Sequence, residues 1–285
     1  MKIVFIADFF VDEIPGGGEL NNEEFISLLN KTKNYYNEVL KIKSSDVSTG
    51  FLQEHHDLNF IVSNFINLRP ESKEFIENNC RYVIYEHDHK YLINRNPATY
   101  KNFQAPPEAI VNLNFYKNAQ AVLCQSNFHA DVVKKNLNLN NIISLGGNLW
   151  DIKALDKMEE YSFKSKKENC SIMKSPISHK NTIGAVNYCV KQNIPFELIE
   201  PCPYYDFLDR ISNNDTFAFF PQTPETLSRV VVEARMMGMK VITNSLVGAS
   251  KEPWFELRGK ELVEKMRDKR KDILNTVLGT LEDGK

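Results

Sequence analysis

Two glutamates eight residues apart, Glu225 and Glu233, are the residues of this sequence best placed to do chemistry. They lie in Pro224-Glu225-Thr226-Leu227-Ser228-Arg229-Val230-Val231-Val232-Glu233-Ala234, directly after the apolar run Thr216 to Phe220. The pattern predicts a helix over Ser228 to Met237, with Glu225 on the loop before it and Glu233 about two turns inside. A helix start carries N–H groups that no residue within the helix satisfies, and its dipole favours an anion. Here those groups are predicted on Thr226, Leu227 and Ser228, and a diphosphate fits them. Carboxylates suit diols, so Glu225 is read as accepting hydrogen bonds from sugar hydroxyls and Glu233 from the 2'- and 3'-hydroxyls of a ribose.

Two further segments carry candidate groups. In Pro15-Gly16-Gly17-Gly18-Glu19 the absent Cβ atoms of Gly17 and Gly18 let a phosphate or sugar approach the backbone, although a tight turn alone also needs glycine. Ile84-Tyr85-Glu86-His87-Asp88-His89-Lys90-Tyr91 ends a predicted strand, where ligand-binding residues gather in open parallel sheets. His87, Asp88 and His89 there could meet a ligand or a metal, or form an ordinary loop.

Glu225 and Glu233, with Ala234, Gly238, Val241, Ile242 and Val247-Gly248-Ala249 behind them, resemble the E-x7-E segment of retaining GT-B glycosyltransferases, family 4 above all. Pro15 to Glu19 resembles the GG-x-E loop of that family, with three glycines in place of the usual pair. The resemblance implies that His87 lies close to the transferred sugar, with His89 as its rival, and that Asp88 and His89 stand on the acceptor side. Lys180, in Ile172 to Asn181, matches the family's lysine for the donor diphosphate. The arginine expected about five residues earlier falls on Ser175, or on Lys174 if the loop is longer by one, and Arg229 is the replacement cation. Ala121 to His129 and Ile143 to Asn148 look like the last unit of the family's first domain, with Ser126 read as a helix cap. The resemblance therefore covers nearly the whole chain. It implies transfer of a hexose or pentose with retention, no cofactor beyond a nucleoside diphosphate sugar as donor, and no metal ion.

The elements that must position these groups alternate. Lys2 to Ala7, Val39 to Lys43, Leu58 to Ser63, Tyr82 to Tyr85 and Ala121 to Cys124 read as buried strands, separated by helical stretches at Glu23 to Leu29, Glu71 to Asn78 and Phe128 to Asn136. The polar run Lys157 to Glu168 predicts a break. Strands then recur at Cys170 to Met173, Phe196 to Ile199, Thr216 to Phe220 and Lys240 to Thr243, with helices at Thr182 to Lys191, Tyr205 to Ile211 and Ser228 to Met237. This is an α/β chain of two Rossmann-like parallel sheets, a GT-B architecture, with an acceptor-side domain over 1–150 and a donor domain over 151–285. The charged tail Glu252 to Leu281 is predicted to be helical and to pack across the outside. The functional location is expected in a cleft between the sheets.

The 285 residues are 42% hydrophobic and 25% charged, which excludes a disordered chain. No stretch of roughly 18 uncharged apolar residues occurs, so no integral membrane segment is expected, and Asp8 interrupts the first apolar run too early for a signal peptide. A cytoplasmic protein is the expectation, in a host cytoplasm if the chain comes from a phage, as its Asn, Lys and Ile usage suggests. Cys80, Cys124, Cys170, Cys189 and Cys202 form no C-x-x-C pair and argue against disulfides or zinc. The acceptor stays open: a glycan, a small molecule or a modified DNA base. The last predicts a basic stripe from Lys31, Lys33, Lys41, Lys43, Lys134 and Lys135, although Lys plus Arg (35) barely balance Asp plus Glu (37). A sugar-nucleotide-binding subunit without catalysis and an epimerase are the other readings. The oligomeric state does not follow from the sequence.

Overall fold

The first apolar run is a strand, β1 (Ile3–Ala7), with all five residues buried, in a computed structural model that describes residues 2–32 and 39–282. After it come α1 (Gly17–Lys31), β2 (Val39–Lys43), α2 (Thr49–His55), β3 (Asn59–Val62), α3 (Pro70–Asn79) and β4 (Arg81–Glu86). The unit continues through α4 (Leu113–Asn118), β5 (Val122–Cys124), α5 (Asn127–Leu137) and β6 (Ile142–Ser144). The strands form one parallel sheet in the order β2-β1-β3-β4-β5-β6. Successive side chains point to opposite faces. Ile3, Phe5, Val83, Tyr85 and Leu123 join Phe25 and Leu29 of α1 in one core, while Val4, Ile6, Phe60, Val62 and Ile84 join Leu52, Ile76, Phe115 and Val133 in another. Burial on both faces is why these strands read as unbroken apolar runs.

Helix α1 begins at Gly17, six residues before the predicted start at Glu23. Gly16 caps it in extended conformation, and the Leu20 N–H donates to the Gly16 carbonyl at 2.9 Å. Glycine is a poor helix former, which hides this start in the sequence. Glu19 lies in the first turn, where the dipole favours a carboxylate.

The second unit contains α6 (Ile152–Ser162), β7 (Lys167–Met173), α7 (Thr182–Lys191), β8 (Phe196–Ile199), α8 (Tyr204–Ile211), β9 (Asn214–Phe219), α9 (Arg229–Met236) and β10 (Lys240–Thr243). Its four parallel strands are ordered β10-β9-β7-β8. The predicted polar break at Lys157 is half helix: Asp151 caps α6 by accepting from the Ala154 N–H, and Ala154, Leu155 and Met158 are buried. Three apolar residues suffice to fix this helix, whatever the charge of its outer face.

The last helix, α10 (Lys260–Glu282), corrects the expected domain division. One unit takes the chain up to Leu149 and again from Arg270, and the other runs from Trp150 to Lys269. From Arg270 the tail is core material of the first unit: Ile273, Val277, Leu278 and Leu281 are buried in the same cluster as Ile3, Phe5 and Phe25. Interleaved Lys and Asp residues conceal that apolar stripe in the sequence. Arg270 Nη2 also binds Glu24 Oε1 of α1 at 2.6 Å, with side chains only 10% and 9% exposed. Removing one member of a buried ion pair costs about 3–5 kcal/mol. Arg270→Ala is therefore expected to lower the urea stability of this unit by about that amount, as read from the unfolding midpoint of a first-unit probe such as Tyr85.

Among the described residues no helix is long and apolar enough to cross a membrane.

Candidate functional site

In the four-stranded sheet the chain steps from β7 out to β8 and returns past β7 to β9, so its direction reverses between β7 and β9. Open parallel sheets bind ligands outside the carboxyl ends of their strands at such a reversal. The loops that leave β7 and β9 carry Lys180 and Glu225, and the structure joins them: Lys180 Nζ donates to Glu225 Oε1 at 2.8 Å and Oε2 at 3.0 Å. Their side chains are 26% and 13% exposed, and Lys180 Nζ also stands 5.8 Å from the centre of the Phe219 ring.

Backbone bonds hold both loops. The Gln222 N–H donates to the His179 carbonyl at 2.8 Å, and Asn181 Nδ2 donates to the Phe220 carbonyl at 2.8 Å. Glu225 is clamped against the loop after β10, its N–H donating to Leu246 and its carbonyl accepting from Gly248. Lys174 and Ser175, the alternative arginine positions, are engaged elsewhere: Lys174 pairs with Glu200 at 2.7 Å, and the Ser175 hydroxyl accepts from Ile177 N–H.

The helix that follows is shorter than predicted. It starts at Arg229, so its opening N–H groups belong to Arg229 and Val230, and Glu233 lies just over one turn inside. Thr226 and Leu227 precede it, with the Leu227 side chain fully buried and its carbonyl accepting from Ala249 N–H. Ser228 caps the helix in left-handed conformation (φ 73°), and its buried hydroxyl has no hydrogen-bond partner among the described residues. A left-handed serine costs backbone energy, of order 1–3 kcal/mol, and such residues cluster at ligand sites.

Glu233 is 3% exposed. Its Oε1 accepts from Trp150 Nε1 at 2.8 Å and from the Tyr204 hydroxyl at 2.8 Å, and Arg229 Nε stands 3.6 Å away. The Arg229 guanidinium lies 4.5 Å over the Trp150 ring. Burial and the Glu233 charge push the Tyr204 phenol well above its ordinary pKa. Each glutamate of the pair thus holds one of the two candidate cations, Lys180 on Glu225 and Arg229 on Glu233.

The six-stranded sheet has its own reversal, between β1 and β3. A cavity of about 330 Å³ opens there, lined by Asp8, Phe9, Gly18, Glu19, Asn64, Ile66, His87, Asp88 and Arg95. Gly17 is exposed beside it at the start of α1, and a Cβ on Gly18 would stand 3.7 Å from the His87 ring. His87 is stacked on Tyr85 with ring centres 4.8 Å apart. Its Nε2 meets Asn22 Oδ1 at 2.7 Å, and its Nδ1 meets Gln125 Nε2. With Gln125 Nε2 as the donor, His87 Nδ1 accepts and its Nε2 donates to Asn22 Oδ1. Asp88 lines the cavity beside Arg95. His89 does not: it is 3% exposed, bound to the Tyr91 hydroxyl at 3.0 Å and packed on His129. Beneath them Glu86 is wholly buried with Lys90 and Tyr116, and burial raises its carboxyl pKa against the pull of Lys90. The Glu86 carboxylate accepts from Asp88 N–H at 2.9 Å and so shapes the turn.

Asp8, Asn22, Gln125, Trp150, Tyr204 and His129 escaped the sequence reading as site residues. Only Asp8, a carboxylate ending the first strand, left a local signal; the others arrive from distant segments. No group of three or more His, Cys, Asp and Glu able to hold a metal occurs among the described residues. The basic stripe is divided: Lys41 pairs with Glu23 and Lys43 with Glu13, each at 2.7 Å, on edge strand β2, while Lys134 and Lys135 end α5 toward the opposite edge. Lys31 closes α1, and Lys33 lies outside the described residues.

His129 ties the cavity loops together and sets a pH limit. Gln125 N–H donates to its Nδ1 at 3.3 Å, and its Nε2 faces the Asp88 carbonyl at 3.1 Å, so the ring is neutral. Burial, with His89 adding, pushes its pKa well below the ordinary value. The unfolded ring, with a pKa of about 6.5, takes up a proton that the native ring refuses. This contribution is intact above about pH 6.5 and is lost below it at up to ~1.4 kcal/mol per pH unit. Urea unfolding between about pH 7 and about pH 5 is expected to show that slope, and His129→Gln is expected to flatten it.

No family model and no curated protein matches the chain. Solved structures do. The chain is similar to Anabaena HepE in complex with UDP and glucose, at 14% identity and a TM-score of 0.54, covering 99% of this chain and 92% of that one. It is similar to E. coli trehalose-6-phosphate protein bound with UDP-2-fluoro glucose, at 7% identity and a TM-score of 0.55, covering 98% and 96%. The sucrose-phosphate synthase of Thermosynechococcus elongatus follows at 9% identity and a TM-score of 0.54, covering 100% and 97%. These neighbours are GT-B glycosyltransferases, and at such identities what they share with this chain is the fold: α/β, GT-B, two parallel Rossmann-like sheets.

Proposed function

We propose that this protein is a glycosyltransferase that moves a hexose or pentose from a nucleoside diphosphate sugar to a hydroxyl-bearing acceptor. The observation that carries the reading is the Lys180–Glu225 pair at the carboxyl ends of β7 and β9, next to the start of α9. That the structural neighbours include complexes with UDP and with UDP-2-fluoro glucose supports it.

Departure of a nucleoside diphosphate leaves positive charge on the sugar and negative charge on the phosphate. Lys180, Arg229 and the N–H groups opening α9 stabilise that negative charge. Glu225 holds Lys180 and accepts from sugar hydroxyls. Glu233 serves the nucleoside end, where a ribose diol exchanges with the Tyr204 hydroxyl as donor to the carboxylate. On the first unit, His87 in its Nε2-protonated form faces the transferred sugar, with Gly17 and Gly18 giving it room and Asp88 on the acceptor side; the buried His89 acts only through its neighbours. We assign retention of configuration and a family 4 kinship to the enzyme, with no metal ion, acting on a cytoplasmic pool of nucleotide sugars.

The test is a thermal-shift panel of nucleoside diphosphate sugars. A ligand at a hundred times its Kd adds about 2.7 kcal/mol of stability. One sugar nucleotide is expected to raise the melting temperature of the native protein and to lose that effect in Lys180→Ala. If the whole panel leaves the melting temperature unchanged at millimolar concentration, the assignment fails.

A further inference from the structure

The cavity of the first unit has a charge bias that the proposed reaction does not specify. Its lining holds three carboxylates, Asp8, Glu19 and Asp88, against one guanidinium, Arg95. Arg95 Nη1 is bound to Asp88 Oδ2 at 3.2 Å, so its charge is matched within the lining. Of the nearby cations, the buried Lys90 is bound to Glu86, and the half-buried Lys73 donates to Asn112 Oδ1 at 2.8 Å.

Asp8 and Glu19 remain. Asp8 is 7% exposed and engaged by the chain: Oδ1 accepts from the Ser44 hydroxyl and from Asn67 N–H at 3.0 Å, and Oδ2 accepts from Ile66 N–H at 3.0 Å. These bonds involve no cation, and Lys73 acts on Asp8 only through its charge, with no ion pair formed between them among the described residues. Glu19 is half-buried and forms no ion pair among the described residues. Its carboxylate folds back over Gly16, where a Cβ would lie 2.3 Å from Oε2. Burial, with the Asp8 charge adding a smaller part and Lys90 opposing it, pushes the Glu19 pKa above its usual value.

Building on the transferase reading, we infer that this cavity takes the acceptor as an uncharged or amine-bearing polyol, and that Glu19 excludes phosphorylated and carboxylated sugars. Hydroxyl and ammonium groups donate to carboxylates. A phosphate within about 6 Å of one unmatched carboxylate is disfavoured by on the order of a hundredfold at an effective dielectric near 20. Asn64 and the backbone at Gly18 supply neutral polar contacts for a ring of modest size, in keeping with a volume at the lower end of ligand pockets.

The test measures direct binding to the full chain, with UDP present, by ligand-observed NMR. The probes are glucose, galactose, mannose and glucosamine, each beside its 6-phosphate. At least one free sugar is expected to bind, with its 6-phosphate about tenfold weaker or worse. Glu19→Gln is expected to narrow that ratio and Glu19→Lys to reverse it, both variants unfolding in urea at a midpoint close to that of the wild type. A 6-phosphate that binds as well as its parent sugar overturns the inference, as does a ratio unmoved in both folded variants or silence from every free sugar. Nucleotide-sugar binding is read separately by thermal shift. A chain with this selectivity and no nucleotide-sugar binding would remove the transferase reading and leave the cavity's preference standing.

Discussion

Glu225→Gln is expected to lower kcat for sugar transfer by about 10²- to 10³-fold, equivalent to about 2.7–4 kcal/mol of transition-state stabilisation. The amide keeps the size of the side chain and discards its charge, so Lys180 loses the carboxylate that fixes its ammonium with two bonds of 2.8 and 3.0 Å. An ammonium on a flexible four-carbon stem does not hold its position alone. Lys180→Met removes the charge directly and is expected to cost a similar factor. Because the two residues act as one unit, the double variant should be scarcely worse than either single one. Steady-state kinetics of all three variants, with melting temperatures beside them, check this. Activity near the wild-type level in Glu225→Gln would sink the assignment of this pair to donor chemistry.

Glu233→Ala is expected to destabilise the second unit by about 3–5 kcal/mol, because its carboxylate is the buried anion of a cluster that also holds a guanidinium. Trp150 Nε1 and the Tyr204 hydroxyl both donate to Oε1, and Arg229 stacks on the Trp150 ring, so one truncation removes an acceptor from two donors and the counter-charge from a third. Glu233→Gln keeps an acceptor oxygen for the indole and the phenol, and only the charge opposite Arg229 is lost. The cost is expected to be smaller than that of Glu233→Ala, because the two hydrogen bonds survive and only the charge pairing is lost. Urea unfolding followed by Trp150 fluorescence separates the two variants. Equal losses would mean that charge, and not hydrogen bonding, organises the cluster. If Glu233 carries the nucleoside end as proposed, donor binding in both variants should weaken by more than the stability change explains.

The strands were legible because burial on both faces writes a plain local signal. Val39–Lys43, Phe196–Ile199 and Lys240–Thr243 lie where the apolar runs predicted them, and Thr182–Lys191 is the predicted helix. The start of α1 was not legible, because glycines at Gly17 and Gly18 carry no helical preference and the capping carbonyl of Gly16 is invisible in a residue pattern. Helix α9 began a residue late because a left-handed Ser228 turns the chain there, a conformation that a serine does not advertise.

The sequence by itself determined the alternation of strands and helices, the two parallel sheets, and the presence of two glutamates around one helix start, since all of these are encoded within a turn or a strand of each other. Tertiary structure alone decided that Lys180 meets Glu225 across 45 positions, that Trp150 meets Glu233 across 83, and that the tail from Arg270 completes the first unit. Those outcomes depend on strand order and on which buried faces need covering. Order and cover are properties of the assembled sheet, where free energy falls when apolar faces close, and no stretch of a few residues carries them.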